Sequence, residues 1–97
     1  MDSVTKLYLE RAENELRLAN IIMRLSVNQE IQNKILDLNK TETYFSAVIS
    51  HSYYSIFYTA KAYLITKGII TKAPEEHKKT YNEFKKFVFS GVIDEEL

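Results

Sequence analysis

Cysteine is absent from the 97 residues, and with it disulfides, thiol nucleophiles and thiolate metal ligands. Glycine occurs twice and proline once. β-Rich folds turn often and need such residues, so their scarcity points to long helices with few connections. Net charge is missing too. Thirteen basic and 13 acidic side chains cancel, which removes a whole-domain basic footprint for nucleic acid. From Lys61 to Lys86 seven lysines stand against three glutamates. The plainest reading of that excess is a solvated helix face, with a phosphate-binding patch as the alternative. A long hydrophobic run is lacking as well. The longest uncharged stretch, Tyr44 to Ala60, has 17 residues and carries Ser46, Ser50, His51, Ser52 and Ser55. It is too short and too polar to span a bilayer, so no membrane partner is expected. Met1 to Glu10 holds Asp2, Lys6 and Glu10 without an apolar core and does not read as a signal peptide. These absences are compatible with a cytoplasmic protein.

What is present fits a single domain over residues 1–97. A first amphipathic helix is expected from Asp2 or Ser3, either of which can cap its free N–H groups. Leu7, Ala12, Leu16, Ala19 and Met23 recur at helical spacing. Ser26-Val27-Asn28 ends or bends it. Glu30 to Asn39, with Ile31, Ile35 and Leu38, reads as a short helix or a continuation of the first. Thr41 is the expected cap of a central helix running from about Glu42 to Thr66, stopped by Gly68. Pro74 is expected in the first turn of the next helix, ahead of the apolar Tyr81, Phe84 and Val88. That helix ends near Ser90-Gly91, and Asp94-Glu95-Glu96 looks like the first turn of a further helix. The expected fold is therefore all-α, an up-and-down bundle of about four helices lacking a final one.

The central helix carries two stripes. Phe45, Ile49, Ile56, Ala60 and Leu64 read as a core face. Tyr44, Val48, His51, Tyr54 or Ser55, and Tyr58 form a second stripe, apolar in area but tipped with hydroxyl and imidazole groups. A helix without a charged face is normally enclosed by protein. The reading is that it is buried on nearly every side, with the second stripe packed against another chain in a symmetric homodimer.

Motif chemistry is sparse. No H-E-x-x-H, glycine-rich phosphate loop or metal-ligand spacing appears, so no cofactor or metal is called for. Glu75 and Glu76 are adjacent and diverge on a helix, which suits a dipole-favoured start better than paired acid and base. His51, Tyr54, Ser55 and Tyr58 share one face. His51 could accept a proton near neutral pH, and Tyr54 or Tyr58 could stack on a base. The blander reading of the set is a half-buried polar network at an interface. His77, at the start of the last helix, is a surface or capping residue or a phosphate contact.

The segment Ala47-Val48-Ile49-Ser50-His51-Ser52-Tyr53-Tyr54-Ser55-Ile56-Phe57-Tyr58-Thr59-Ala60-Lys61-Ala62-Tyr63-Leu64 resembles the central helix of HEPN domains, in the small prokaryotic branch with a Tyr-Tyr-x-x-Phe core. Gly68-Ile69, His77, Phe84, Val88, Gly91, Ile93 and Asp94 follow in the family's order, and Leu9, Ala12, Leu16 and Ala19 fit its opening helix. The resemblance implies a dimerising helical bundle. It also implies pairing with a minimal nucleotidyltransferase in a toxin–antitoxin-like system. Many such domains are metal-independent ribonucleases that use an Arg and a His on the central helix. Here His51 stands at the Arg position and Tyr58 at the His position. Imidazole does not reproduce a fixed guanidinium fork, and a phenol is a poor base near pH 7. The expectation is a non-catalytic module that binds a nucleotidyltransferase partner, a nucleotide or RNA through His51, Tyr54, Tyr58, Lys61 and His77. A ribonuclease of altered chemistry, with His51 and Tyr58 as its candidate residues, and a purely structural adaptor are the alternatives.

Overall fold

A computed structural model describes residues 2–37 and 42–91. It is an all-α bundle of four helical elements: α1 (Ser3–Val27), one π-helical turn (Ile31–Ile35), α2 (Phe45–Thr66) and α3 (Glu76–Ser90). The described residues contain no strand. Leu38, Asn39 and Thr41, and the Asp94–Glu96 turn expected to open a further helix, lie outside the described residues.

Asp2 starts α1. Its Oδ1 accepts the Thr5 backbone N–H at 2.8 Å and its Oδ2 accepts the Thr5 hydroxyl at 3.0 Å. The backbone N–H, then the hydroxyl, hold the carboxyl below its ordinary value. The residues of α1 that become buried are Thr5, Ala12, Ala19 and Ser26. They recur every seven residues and are all small. A small-residue seam lets α2 lie close, and the Ser55 hydroxyl reaches the Ala12 carbonyl at 2.9 Å. Leu7, Leu16 and Met23, read as part of the apolar face of this helix, are exposed instead.

The short helix expected over Glu30–Asn39 is reduced to the π turn. Its buried residue is Gln32, not an isoleucine. The Gln32 amide donates to the carbonyls of Leu25 and Glu42, each at 2.8 Å, and its oxygen accepts the Glu42 N–H at 2.7 Å. Ser26 accepts the Tyr44 N–H at 2.9 Å. These bonds satisfy the backbone of Glu42 and Tyr44 outside any helix, which is why α2 begins at Phe45 and not at Glu42.

Gly68 ends α2 as expected, with φ of 77° and the Ile69 N–H returning to the Leu64 carbonyl at 2.9 Å. Pro74 does not enter α3. It follows a cis peptide bond in the connector, and α3 starts two residues later behind a left-handed Glu75 with φ of 57°. Gly91, with φ of 81°, closes α3.

α2 lies between its neighbours. α1 runs antiparallel along it, as the pairs Tyr8–Tyr58, Ala12–Ser55, Glu15–His51 and Ser26–Tyr44 show. α3 packs on the C-terminal half, through Phe57–His77 and Tyr63–Phe84. The expectation that α2 is enclosed on nearly every side is corrected here. Phe57, Ala60, Ala62 and Leu64 are buried, but Phe45, Ile49 and Ile56 are open to solvent. The stripe expected to meet a second chain packs on α1 of its own chain. The reason is polar matching: α1 offers a carbonyl to Ser55 and a carboxylate to His51, and the Phe45–Ile56 stripe has no polar tips to match.

Candidate functional site

Antiparallel pairing of α1 and α2 builds one edge of the molecule. Tyr8, Arg11 and Glu15 step along α1 at spacings of three and four, and His51, Tyr54 and Tyr58 step along α2 in the same way. The rings of Tyr8 and Tyr58 stack at 5.9 Å with 25° between planes. The Arg11 guanidinium lies 5.4 Å from the Tyr8 ring and 5.9 Å from the Tyr58 ring, within cation–π range of both. Arg11 is exposed and has no ion pair among the described residues.

Seven residues along α1 from Tyr8, Glu15 meets His51. A carboxylate oxygen of Glu15 stands 2.5 Å from Nδ1 of His51, with both side chains partly open to water. The carboxylate accepts a proton-bearing Nδ1, which leaves Nε2 of the neutral ring as an acceptor.

α3 adds His77. Its ring stacks on Phe57 at 3.9 Å and 3° and meets Tyr54 edge-on at 5.7 Å. Nδ1 of His77 is 3.0 Å from the Tyr53 hydroxyl. Tyr54 in turn lies 6.3 Å from Tyr58, and Tyr53 lies 5.7 Å from Tyr81. The result is a continuous aromatic band across three helices, with Tyr53 and Tyr54 exposed on it. Burial, then the hydrogen bond that it donates to Tyr53, pushes the Tyr81 phenol up to about 12.

Of the residues singled out in the sequence, Tyr54, Tyr58 and His77 come together on this band. His51 sits farther along the edge, engaged by Glu15. Lys61 lies beneath it. It is 5% exposed, donates to the Thr71 carbonyl at 3.1 Å and pairs with the Glu76 carboxylate. Its ammonium is also 5.0 Å from the Tyr8 ring. It is thus an internal cation with its own counter-ion, and the cation at the surface is Arg11. Tyr8, Arg11 and Glu15 were missed as site residues. Placing Ala12 against Ser55 in an antiparallel pair would have brought them into register with Tyr58 and His51.

Among the described residues, no cluster of three or more His, Cys, Asp or Glu side chains could hold a metal ion, and no helix is long and apolar enough to cross a membrane. No family model, curated protein or solved structure matches the chain.

Proposed function

We propose that this chain is a non-catalytic, HEPN-like helical module of the cytoplasm whose aromatic edge binds a nucleotide or a single strand of RNA. Its partner class is a nucleotidyltransferase in a toxin–antitoxin-like system, as the resemblance implies. The observation that supports the reading most is Arg11 lying over the stacked Tyr8 and Tyr58 rings, continuous with the exposed Tyr54 and with His77. Every base has a π face, so exposed rings beside a cation receive single-stranded nucleic acid without a strongly basic protein. That suits a chain with zero net charge.

The test is fluorescence polarisation with a labelled single-stranded RNA oligonucleotide and with a labelled nucleotide. Loss of one stacked base costs about 1–3 kcal/mol, so Tyr54→Ala should weaken RNA binding by about tenfold. Arg11→Ala should weaken it comparably. Salt dependence should be shallow, because about one or two phosphates meet a cation. Wild-type affinity in both variants would reject the edge as the binding surface.

The Glu15–His51 pair favours a second reading. A carboxylate-held imidazole with a free Nε2 is the form a general base takes, and Arg11 is a guanidinium on the same edge. Under this reading, the protein cleaves RNA in chelator without metal, and His51→Ala abolishes the cleavage. Intact RNA after prolonged incubation with the wild-type chain retires it.

A further inference from the structure

The fold sorts the seven lysines that lie between Lys61 and Lys86. Lys61 is internal and paired with Glu76. Lys86 pairs with Glu83 at 3.0 Å, and Lys79 donates to the Lys72 carbonyl at 3.2 Å. The Lys67 ammonium lies 5.5 Å from the Tyr63 ring. Lys78 and Lys85 are exposed and have no ion pair among the described residues.

Thr80 is buried and marks the inner side of α3. Lys78, Asn82, Lys85 and Phe89 follow one another at spacings of four, three and four, and all are exposed. They form one line on the outer side of the helix. Phe89 is 83% exposed, a bare ring one turn beyond the Lys85 ammonium. The line is continuous with the aromatic band. Tyr81 lies three residues after Lys78 and four before Lys85. Its ring is 5.7 Å from that of the exposed Tyr53, which meets Tyr54 at 5.5 Å.

We propose that the outer face of α3 carries the phosphate backbone of a single-stranded RNA whose bases stack on the aromatic edge. Lys78 and Lys85 each meet a phosphate, and Phe89 receives a base at the far end. This rests on the RNA reading of the edge and extends its footprint to a second helix. Charge complementarity is the argument. Lys78 and Lys85 stand about 10 Å apart along the axis at 1.5 Å per residue. That is close to the screening length of roughly 8 Å at physiological salt, so their fields overlap. The acidic groups of α3 do not cancel them. Glu76 is taken by Lys61 and Glu83 by Lys86, which leaves Glu75 ahead of the first turn. Anionic lipid would also attract lysines, but an interfacial helix sinks a whole apolar face, and this line offers one ring. A ring beside a cation repeats the arrangement of Arg11 with Tyr8 and Tyr58.

Fluorescence polarisation over a salt series tests the proposal with two labelled RNAs, a dinucleotide too short to leave the edge and a dodecamer. The main variant joins Lys78→Gln to Lys85→Gln. Both positions are exposed, so its helicity should match the wild type. Each phosphate met on a single strand adds about 0.7 to the slope of log affinity against log salt. The double variant should therefore flatten the dodecamer slope by about 1.4 and leave the dinucleotide unchanged. Lys78→Arg with Lys85→Arg should keep the wild-type slope. Phe89→Ala should weaken dodecamer binding about tenfold without altering the slope. If Tyr54→Ala weakens both RNAs while the double variant keeps the wild-type slope, the α3 track is overturned and the edge stands. If the double variant flattens the slope and Tyr54→Ala changes neither RNA, the edge reading falls and the lysine face stands. An unchanged slope together with lysine-dependent flotation on phosphatidylserine vesicles would overturn the proposal and assign the face to lipid.

Discussion

Tyr81 shows how one side chain couples the aromatic edge to stability. Its phenol ionises near 10 in an unfolded chain and is pushed up to about 12 in the fold, because burial and the hydrogen bond that it donates to Tyr53 disfavour the charged form. A pKa raised by folding means that the neutral phenol stabilises the fold below pH 10. That contribution is lost as pH rises from about 10 to about 12. Urea midpoints measured at pH 8 and pH 11 should therefore fall more for the wild type than for Tyr81→Phe. Tyr44, whose phenol is raised by its bond to the Glu42 carboxylate, keeps some alkaline sensitivity in that variant. Equal falls in the two proteins would remove Tyr81 as the cause. At this scale the sequence was legible where one helix suffices. His51, Tyr54 and Tyr58 do share a side of α2. It was not legible where the partner comes from elsewhere. Nothing near Lys61 in sequence announces that Glu76 will neutralise it, or that Glu15 will engage His51.

Among the elements, boundaries followed polar bonds more than apolar spacing. Ile31 and Ile35 sit four apart and invited a helix, yet Ile35 is exposed and the turn is held by Gln32. Periodicity scores apolar residues and cannot see a glutamine that closes the ends of two helices at once. The same limit explains α1: of the stripe Leu7, Ala12, Leu16, Ala19 and Met23 the two alanines are buried and the larger residues are exposed, and Thr5 and Ser26, which complete the contact seam, are not apolar. Gln32→Leu keeps the volume and removes every bond. It leaves the Glu42 N–H and the carbonyls of Leu25 and Glu42 without that partner, at a cost of about 2–4 kcal/mol. Ile35→Ser, at an exposed position, should change stability by no more than about 0.5 kcal/mol. Chemical denaturation of the two variants decides between them. If Ile35→Ser is the costlier change, the apolar spacing holds this turn after all.

For the whole molecule, the helical class and the order of the main helices were readable from composition, caps and stops, because scarce glycine and proline leave few places to turn. Its shape was not. The radius of gyration is 17.1 Å, against about 12.5 Å for a compact domain of this length. An elongated chain buries less of itself, so α3 depends on a small polar junction. The Lys61 ammonium bonds the Thr71 carbonyl and the Glu76 carboxylate, Thr71 and Thr80 share a 2.6 Å hydroxyl bond, and Thr80 returns to the Glu76 carbonyl at 2.7 Å. Removing one member of a buried ion pair costs about 3–5 kcal/mol, because the other charge is left uncompensated. Glu76 is partly open to water, so Glu76→Gln belongs at the low end of that range. The loss should be local. Amide exchange should accelerate through α3 while the α1–α2 pair keeps its protection. Adding Lys61→Met to Glu76→Gln removes the stranded ammonium and should recover much of the stability. If the double variant is as unstable as Glu76→Gln alone, or if α1 and α2 open together with α3, the junction is not what fastens the third helix.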